Sequence, residues 1–186
     1  MPAVNDSAHY PGCGRLAPIA AIAIAIVVLT GCGREAVRAT PQQRTPVVAE
    51  RAWPAVTPAD PAAANAVLMR AISLVGTPYQ YGGNTPQGGF DCSGLVNYVY
   101  SDMLDLKLPR TSRELAAYQG PRIAPEQLAT ADLVFFGSGG QVSHVGIYVG
   151  EGRFVHAPSS GGTVRLDHLD GSYWQRNYSG SRRVLR

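Results

Sequence analysis

The spacing of hydrophobic positions changes twice along the chain. Over 16–30 they form one unbroken run, LAPIAAIAIAIVVLT; between 60 and 118 they recur every three or four residues; beyond 132 they come in short runs broken by glycine and serine. The middle part predicts three helices. Ala64, Val67, Leu68, Ala71 and Leu74 or Val75 make one stripe, with Asp60 as N-cap, Pro61 at the first helical position and Gly76 as the stop. Leu95, Val96, Val99 and Tyr100 make a second stripe, which places Cys92 at or near the first turn of its helix. A short third helix over 112–118 is capped by Thr111 or Ser112, with Glu114 in its first turn. The last part predicts strands over 132–136, 145–149, 153–157, 163–166 and 182–185. Helices followed by an antiparallel sheet make an α+β fold.

The apolar run changes the picture at the N-terminus. It is about 15 residues long, shorter than the roughly 20 that span a bilayer, and it follows Arg15 and ends at small residues. That is the pattern of a signal-peptide core, with an uncleaved anchor helix as the alternative. Directly after it, Leu29-Thr30-Gly31-Cys32 resembles the bacterial lipobox, which implies removal of 1–31 and a lipidated Cys32 as the mature N-terminus. Stable anchoring would need several acyl chains, because one gives marginal membrane binding. Residues 32–59 are rich in Pro and Ala without periodicity and are expected to form a flexible tether, leaving 60–186 as one globular domain.

Charge and cysteines narrow the chemistry. The formal net charge is +3, without any block of basic residues, so the footprint of a nucleic-acid binder is missing. The three cysteines, Cys13, Cys32 and Cys92, are odd in number and widely spaced, and do not make a disulfide framework. Cys13 falls in the part expected to be removed, and Cys32 in the lipobox. That leaves Cys92. A thiol attacks as thiolate, and a helix N-terminus favours that form through its partial positive charge and free N–H groups. Gly88, Gly89 and Gly94 beside it would leave the backbone open to a substrate.

Two histidines complete a constellation. His144 opens the run SHVGIYV, His156 closes RFVHAP, and Gly150-Glu151-Gly152 lies between. A three-residue loop with Val149 opposite Arg153 puts His144 and His156 on one face of the sheet, and a two-residue loop puts them on opposite faces. Glycine at a turn position needing positive φ favours the first. His144 would then take the thiol proton while His156 holds its other ring nitrogen. His168, in the loop DHLDGS, has no such context.

The segments FDCSGLVNYVY, LPRTS, ADLVFF, SHVGIYV and FVHAP, in this order and spacing, resemble the NlpC-type cell-wall cysteine peptidases over about 64–185. The resemblance implies a papain-like domain in which Cys92 is nucleophile, His144 base and His156 the orienting third residue. It further implies that Tyr79, in GTPYQYGG, binds substrate and helps stabilise the oxyanion, with Tyr81 at a neighbouring position that is often aromatic. Asp91 and Ser93 match substrate-facing positions, where a carboxylate can pair with a free α-amine, although Asp91 equally suits an N-cap. Ser143 is a further candidate for ligand contact. Arg110 could bind a carboxylate of a wall peptide or make a structural salt bridge. The loop over 83–91 is about one residue longer than in relatives.

The activity so implied is hydrolysis of an amide bond in peptidoglycan (murein) peptide stems or cross-links, either D-Glu-diaminopimelate or D-Ala-diaminopimelate, with no metal or other cofactor. The expected setting is the periplasm of a Gram-negative envelope, on a lipid-anchored chain at the membrane, with an unidentified activator as a further partner. Three rival readings remain at this stage. Cys92, His144 and His156 could be zinc ligands, though they lack the paired spacing of zinc motifs. The protein could be a non-catalytic wall-binding lipoprotein, or an amidase or acyltransferase on the same fold.

Overall fold

The computed structural model describes residues 52–186, apart from 119 and 161. The predicted leader, Cys13, the lipidation site Cys32 and most of the tether lie outside the described residues. Packing begins ahead of the boundary at 60 expected from the sequence: Val56 bridges Ala129, and the Trp53 ring lies 6.5 Å from that of Tyr148.

Helix α1 (Pro61–Ser73) starts at an Asp60 cap whose carboxylate accepts from the Ala63 N–H, and it buries Ala64, Val67 and Ala71. Helix α2 (Cys92–Leu104) begins with Cys92 itself and buries Leu95, Val96, Val99 and Tyr100. Helix α3 (Ser112–Ala117) opens with a complete capping box between Thr111 and Glu114. Between α1 and α2 the loop folds into a two-stranded ribbon, β1 (Asn84–Thr85) with β2 (Gly89–Phe90).

The main sheet has five strands: β3 (Leu133–Ser138), β4 (Gln141–Gly150), β5 (Arg153–His156), β6 (Arg165–His168) and β7 (Tyr178–Arg182). Its order is β6-β5-β4-β3-β7, every pair antiparallel. The α+β class expected from the sequence is the one observed. Strand β7 lies earlier than expected, and a short helix α4 (Ser172–Asn177) precedes it.

Side chains alternate across this sheet as strand geometry requires. Leu133, Phe135, Val145, Ile147 and Val155 pack with the buried faces of α1, α2 and α3. Val134, Phe136, Tyr148 and Phe154 form a second cluster on the opposite face, against which Trp53, Trp174 and Tyr178 pack. The β4–β5 hairpin sets what each face carries. Its tip pairs Gly150 with Arg153 around Glu151 and Gly152, both at positive φ (52° and 68°), as a two-residue type I′ turn needs. A bulge between Tyr148 and Gly150 then takes up one extra residue, and Tyr148 pairs with Phe154. The turn is therefore shorter than the three-residue loop expected, but the bulge restores the register that such a loop would give. Tyr148 accepts the Gly152 N–H at its hydroxyl, 3.0 Å away, and the Trp53 ring fills the space where a Gly152 side chain would lie.

Candidate active site

An α-helix begins with N–H groups that its own carbonyls cannot satisfy. At α2, Leu95 N–H reaches the Asp91 carbonyl and Gly94 N–H reaches Asp91 Oδ1 at 2.6 Å. The N–H groups of Cys92 and Ser93 are thereby left for the Cys92 sulfur, and the Val145 N–H, from the residue after His144, also reaches it. Cys92 is a free, partly buried thiol. Burial pushes it above its ordinary pKa, with Val145 N–H pulling down, Asp91 pushing up, and the Ser93 and Cys92 N–H groups pulling down. The helix terminus therefore does not leave a resting thiolate, contrary to the expectation from its position alone; desolvation outweighs it.

His144 and His156 stand on the same face, Nε2 of the first 2.9 Å from Nδ1 of the second. His156 is fully buried, and its Nε2 lies 3.0 Å from Asp167 Oδ2. The same oxygen accepts from Arg165 Nε at 3.2 Å, from the outer guanidinium nitrogen of Arg165 at 3.1 Å and from Trp174 Nε1 at 3.1 Å. Trp174 stacks on His144 (5.6 Å between centroids, 27° between planes) and meets His156 edge-on at 4.9 Å. Burial, then the neighbouring His156 and Arg165, lower His144 to about 3 against the pull of Asp167. Burial lowers His156 to about 4, with Asp167 opposing. Both imidazoles are therefore neutral at pH 7.

Asp91 caps α2 and is also paired with Arg110, whose two outer nitrogens lie 3.1 Å from Oδ1 and 2.7 Å from Oδ2. Ser93 Oγ and the Gly82 N–H add further donors, each at 3.1 Å. Burial raises Asp91, but the Arg110 hydrogen bond, the Gly94 N–H, the Arg110 charge and Ser93 together hold it below its ordinary value. Five donors more than fill a carboxylate that has about four lone-pair sites. A substrate amine would have to displace one of them. Ser93 is buried and its hydroxyl is spent between Asp91 and Arg110, the latter at 2.8 Å. Arg110 is thus a salt-bridge partner, with a side chain still 44% exposed.

Tyr79 is held by its N–H on the Gly162 carbonyl and by a bridge to Phe90. Burial raises its hydroxyl pKa, with Cys92 and then Asp91 adding to the rise, so the phenol lies within electrostatic reach of both. Tyr81 next to it is 86% exposed. Ser143 is exposed and lines, with His144, Arg165, Tyr173 and Trp174, a cleft of about 420 Å³. His168 is exposed at the end of β6. The glycines near Cys92 act differently from the open backbone expected of them. A side chain at Gly94 would run into the Gly83 carbonyl, and one at Gly83 into that of Gly89, so they let the Tyr79 loop close onto α2.

The structure thus brings Cys92, Asp91 and Tyr79 together at the start of α2, sets His144 one residue before the Val145 N–H that reaches the thiol and pairs it with His156, and adds Asp167 and Trp174, which sequence reasoning missed. Arg165 and Asp167 alternate along one strand, a signal that was available; nothing in the sequence tied them to His156.

Known proteins resemble this chain in sequence and fold. Residues 76–183 match the NlpC/P60 family. The chain is 41% identical over 128 residues to murein DD-endopeptidase MepH of Escherichia coli K12, a match covering 66% of this chain and 46% of that protein. It is 46% identical over 111 residues to the probable endopeptidase NlpC of the same organism, covering 59% and 70%. The solved structure of the peptidoglycan hydrolase RipB from Mycobacterium tuberculosis superposes with a TM-score of 0.58 at 30% identity, covering 67% of this chain and 66% of that one. The chain spans about half the length, or less, of the first curated relatives it matches. Because the family match takes in more than half the sequence, with the helix bearing Cys92 and the strands bearing both histidines, this chain belongs to the NlpC/P60 family.

Proposed function

We propose that the protein is a peptidoglycan endopeptidase that hydrolyses an amide bond of wall peptides through Cys92, with His144 as base. The observation that carries this is the setting of one thiol: the Cys92 and Ser93 N–H groups at the start of α2 and the Val145 N–H all reach it, and Val145 directly follows His144 on β4, whose imidazole pairs with His156 on β5. Thiol and imidazole rest neutral, so the proton passes to His144 as sulfur attacks the carbonyl, and no standing ion pair is needed. The Cys92 and Ser93 N–H groups and the Tyr79 hydroxyl receive the developing oxyanion. His144 returns the proton to the leaving amine, and water, activated by the same imidazole, releases the acyl group from sulfur.

The murein DD-endopeptidase relative supports the D-Ala-diaminopimelate cross-link as the bond cut. A lipid on Cys32 would hold the enzyme at the membrane within reach of the wall. The test is mass spectrometry of muropeptides after incubating purified sacculi with the full chain and with Cys92→Ala. New fragments from the wild type alone are expected, and their masses name the bond. Equal release by Cys92→Ala would refute the assignment.

A further inference from the structure

We propose that Asp167 fixes the proton order of the histidine pair, and that this is what makes His144 a base towards Cys92. The inference rests on the reading of His144 as the proton acceptor. It follows from which groups can donate. Trp174 Nε1–H and the Arg165 guanidinium are donors without acceptor capacity, and both point at Asp167 Oδ2, so that oxygen is an acceptor. His156 Nε2, 3.0 Å from the same atom, must then carry a hydrogen. His156 is fully buried, and burial keeps it from being doubly protonated at neutral pH, so its Nδ1 holds a lone pair. That lone pair, 2.9 Å from His144 Nε2, accepts a hydrogen from it. Nδ1 of His144 is left unprotonated, the one ring nitrogen able to take the thiol proton.

Asp167 itself stays ionised. Burial raises it, but hydrogen bonds from Arg165, with the charge and hydrogen bond of His156, hold it below the ordinary carboxylate value. Without the carboxylate the chain would run the other way. Trp174 and Arg165 would then face His156 Nε2 with donors alone, which favours a lone pair there and a hydrogen on Nδ1. His156 would donate to His144 Nε2, and the His144 hydrogen would sit on Nδ1, leaving that ring without a lone pair for the thiol proton. Asp167 touches no reacting atom in this scheme; it is a positioning residue.

The first test uses the full wild-type chain with 15N-labelled histidine at pH 7. Two-bond proton–nitrogen spectra, assigned with His144→Gln and His156→Gln, distinguish protonated from lone-pair ring nitrogens. Hydrogens on Nε2 of both rings are expected, and a hydrogen on His144 Nδ1 overturns the proposal without any change at residue 167. The second test compares Asp167→Ala with Asp167→Asn. The alanine variant should move the His144 hydrogen to Nδ1 and lower kcat for muropeptide release on the order of 100-fold or more with little change in KM. The asparagine variant keeps an acceptor oxygen facing the same three partners, and should restore both the wild-type tautomer and a rate within about tenfold of it. An alanine variant that folds and keeps the wild-type tautomer overturns the proposal. The spectra need no substrate, so a correct tautomer in a protein that releases no muropeptide would count against the endopeptidase reading and leave this inference standing.

Discussion

Two neutral imidazoles, His156 fully buried and His144 partly so, make the fold sensitive to acid, and the size of the effect follows from their environment. In the unfolded chain a histidine titrates near 6.5; in the folded protein His144 is held to about 3 and His156 to about 4. The folded state therefore binds fewer protons than the unfolded one below pH 6.5, and stability falls as pH falls. The contribution is fully present above pH 6.5 and is lost progressively towards pH 4 and 3. At pH 5 the unfolded imidazoles are almost wholly protonated and the folded ones still neutral, which costs about 2 kcal/mol each, or about 4 kcal/mol together. The shifted carboxylates, Asp91 and Asp167, titrate below this window, and the Cys92 thiol above it. Guanidinium chloride unfolding followed by tryptophan fluorescence at pH 7.5 and pH 5 measures the difference. A loss of about 4 kcal/mol is expected for the wild type and roughly half that for His156→Asn. Equal stability at the two pH values, or a gain at pH 5, would refute the reading of both rings as groups held neutral by the fold.

Two further changes test the framework around the site. Gly94→Ala adds about 1 kcal/mol of helix propensity, but its methyl meets the Gly83 carbonyl, and overpacking of this kind costs about 1–3 kcal/mol. The expected result is a lower Tm together with slower muropeptide release, because Gly83 belongs to the loop that carries Tyr79; an unchanged or higher Tm would contradict it. Arg183→Ala strips Asp132, which is 2% exposed, of guanidinium contacts at 3.0 and 2.8 Å and leaves a buried carboxylate with the Ala129 N–H as partner. A loss of about 3 kcal/mol in chemical denaturation is expected, partly recovered by adding Asp132→Asn, and a loss below about 1 kcal/mol would mean that the carboxylate finds water instead.

The parts of the fold legible in the sequence are those set by neighbours in the chain. The caps of α1, α2 and α3 use side chains within three residues of the groups they satisfy, so Asp60, Asp91 and Thr111 mark their helices directly. The face shared by His144 and His156 followed from strand alternation once a register was assumed. Helix α4 escaped because it is six residues long and its N-cap, Gly171, offers no side chain. Strand β7 escaped because YSGSR has neither alternating apolar residues nor β-branched ones, while the apolar pair that suggested a strand, Val184 and Leu185, lies just beyond it. Asp167 and Trp174 become part of the site through the pairing of β5 with β6 and the return of α4 over the sheet, both of them long-range events. The thiol's raised pKa was hidden for the same reason: the helix terminus is local, but the burial that outweighs it is supplied by the rest of the domain.

The β4–β5 turn exposes Glu151 and buries Gly152 against Trp53, and a hairpin turn is ordinarily a place that tolerates insertions and deletions. Here its length carries a parity. Removing or adding one residue without a compensating bulge would swing one ring to the opposite side of the sheet and sever the pair, whereas deleting the bulged residue Val149 itself would leave Tyr148 opposite Phe154 and the pair intact. A library that varies this turn should therefore lose activity at odd length changes except where the bulge at Val149 takes up the difference, a pattern that neither burial nor surface exposure would foretell.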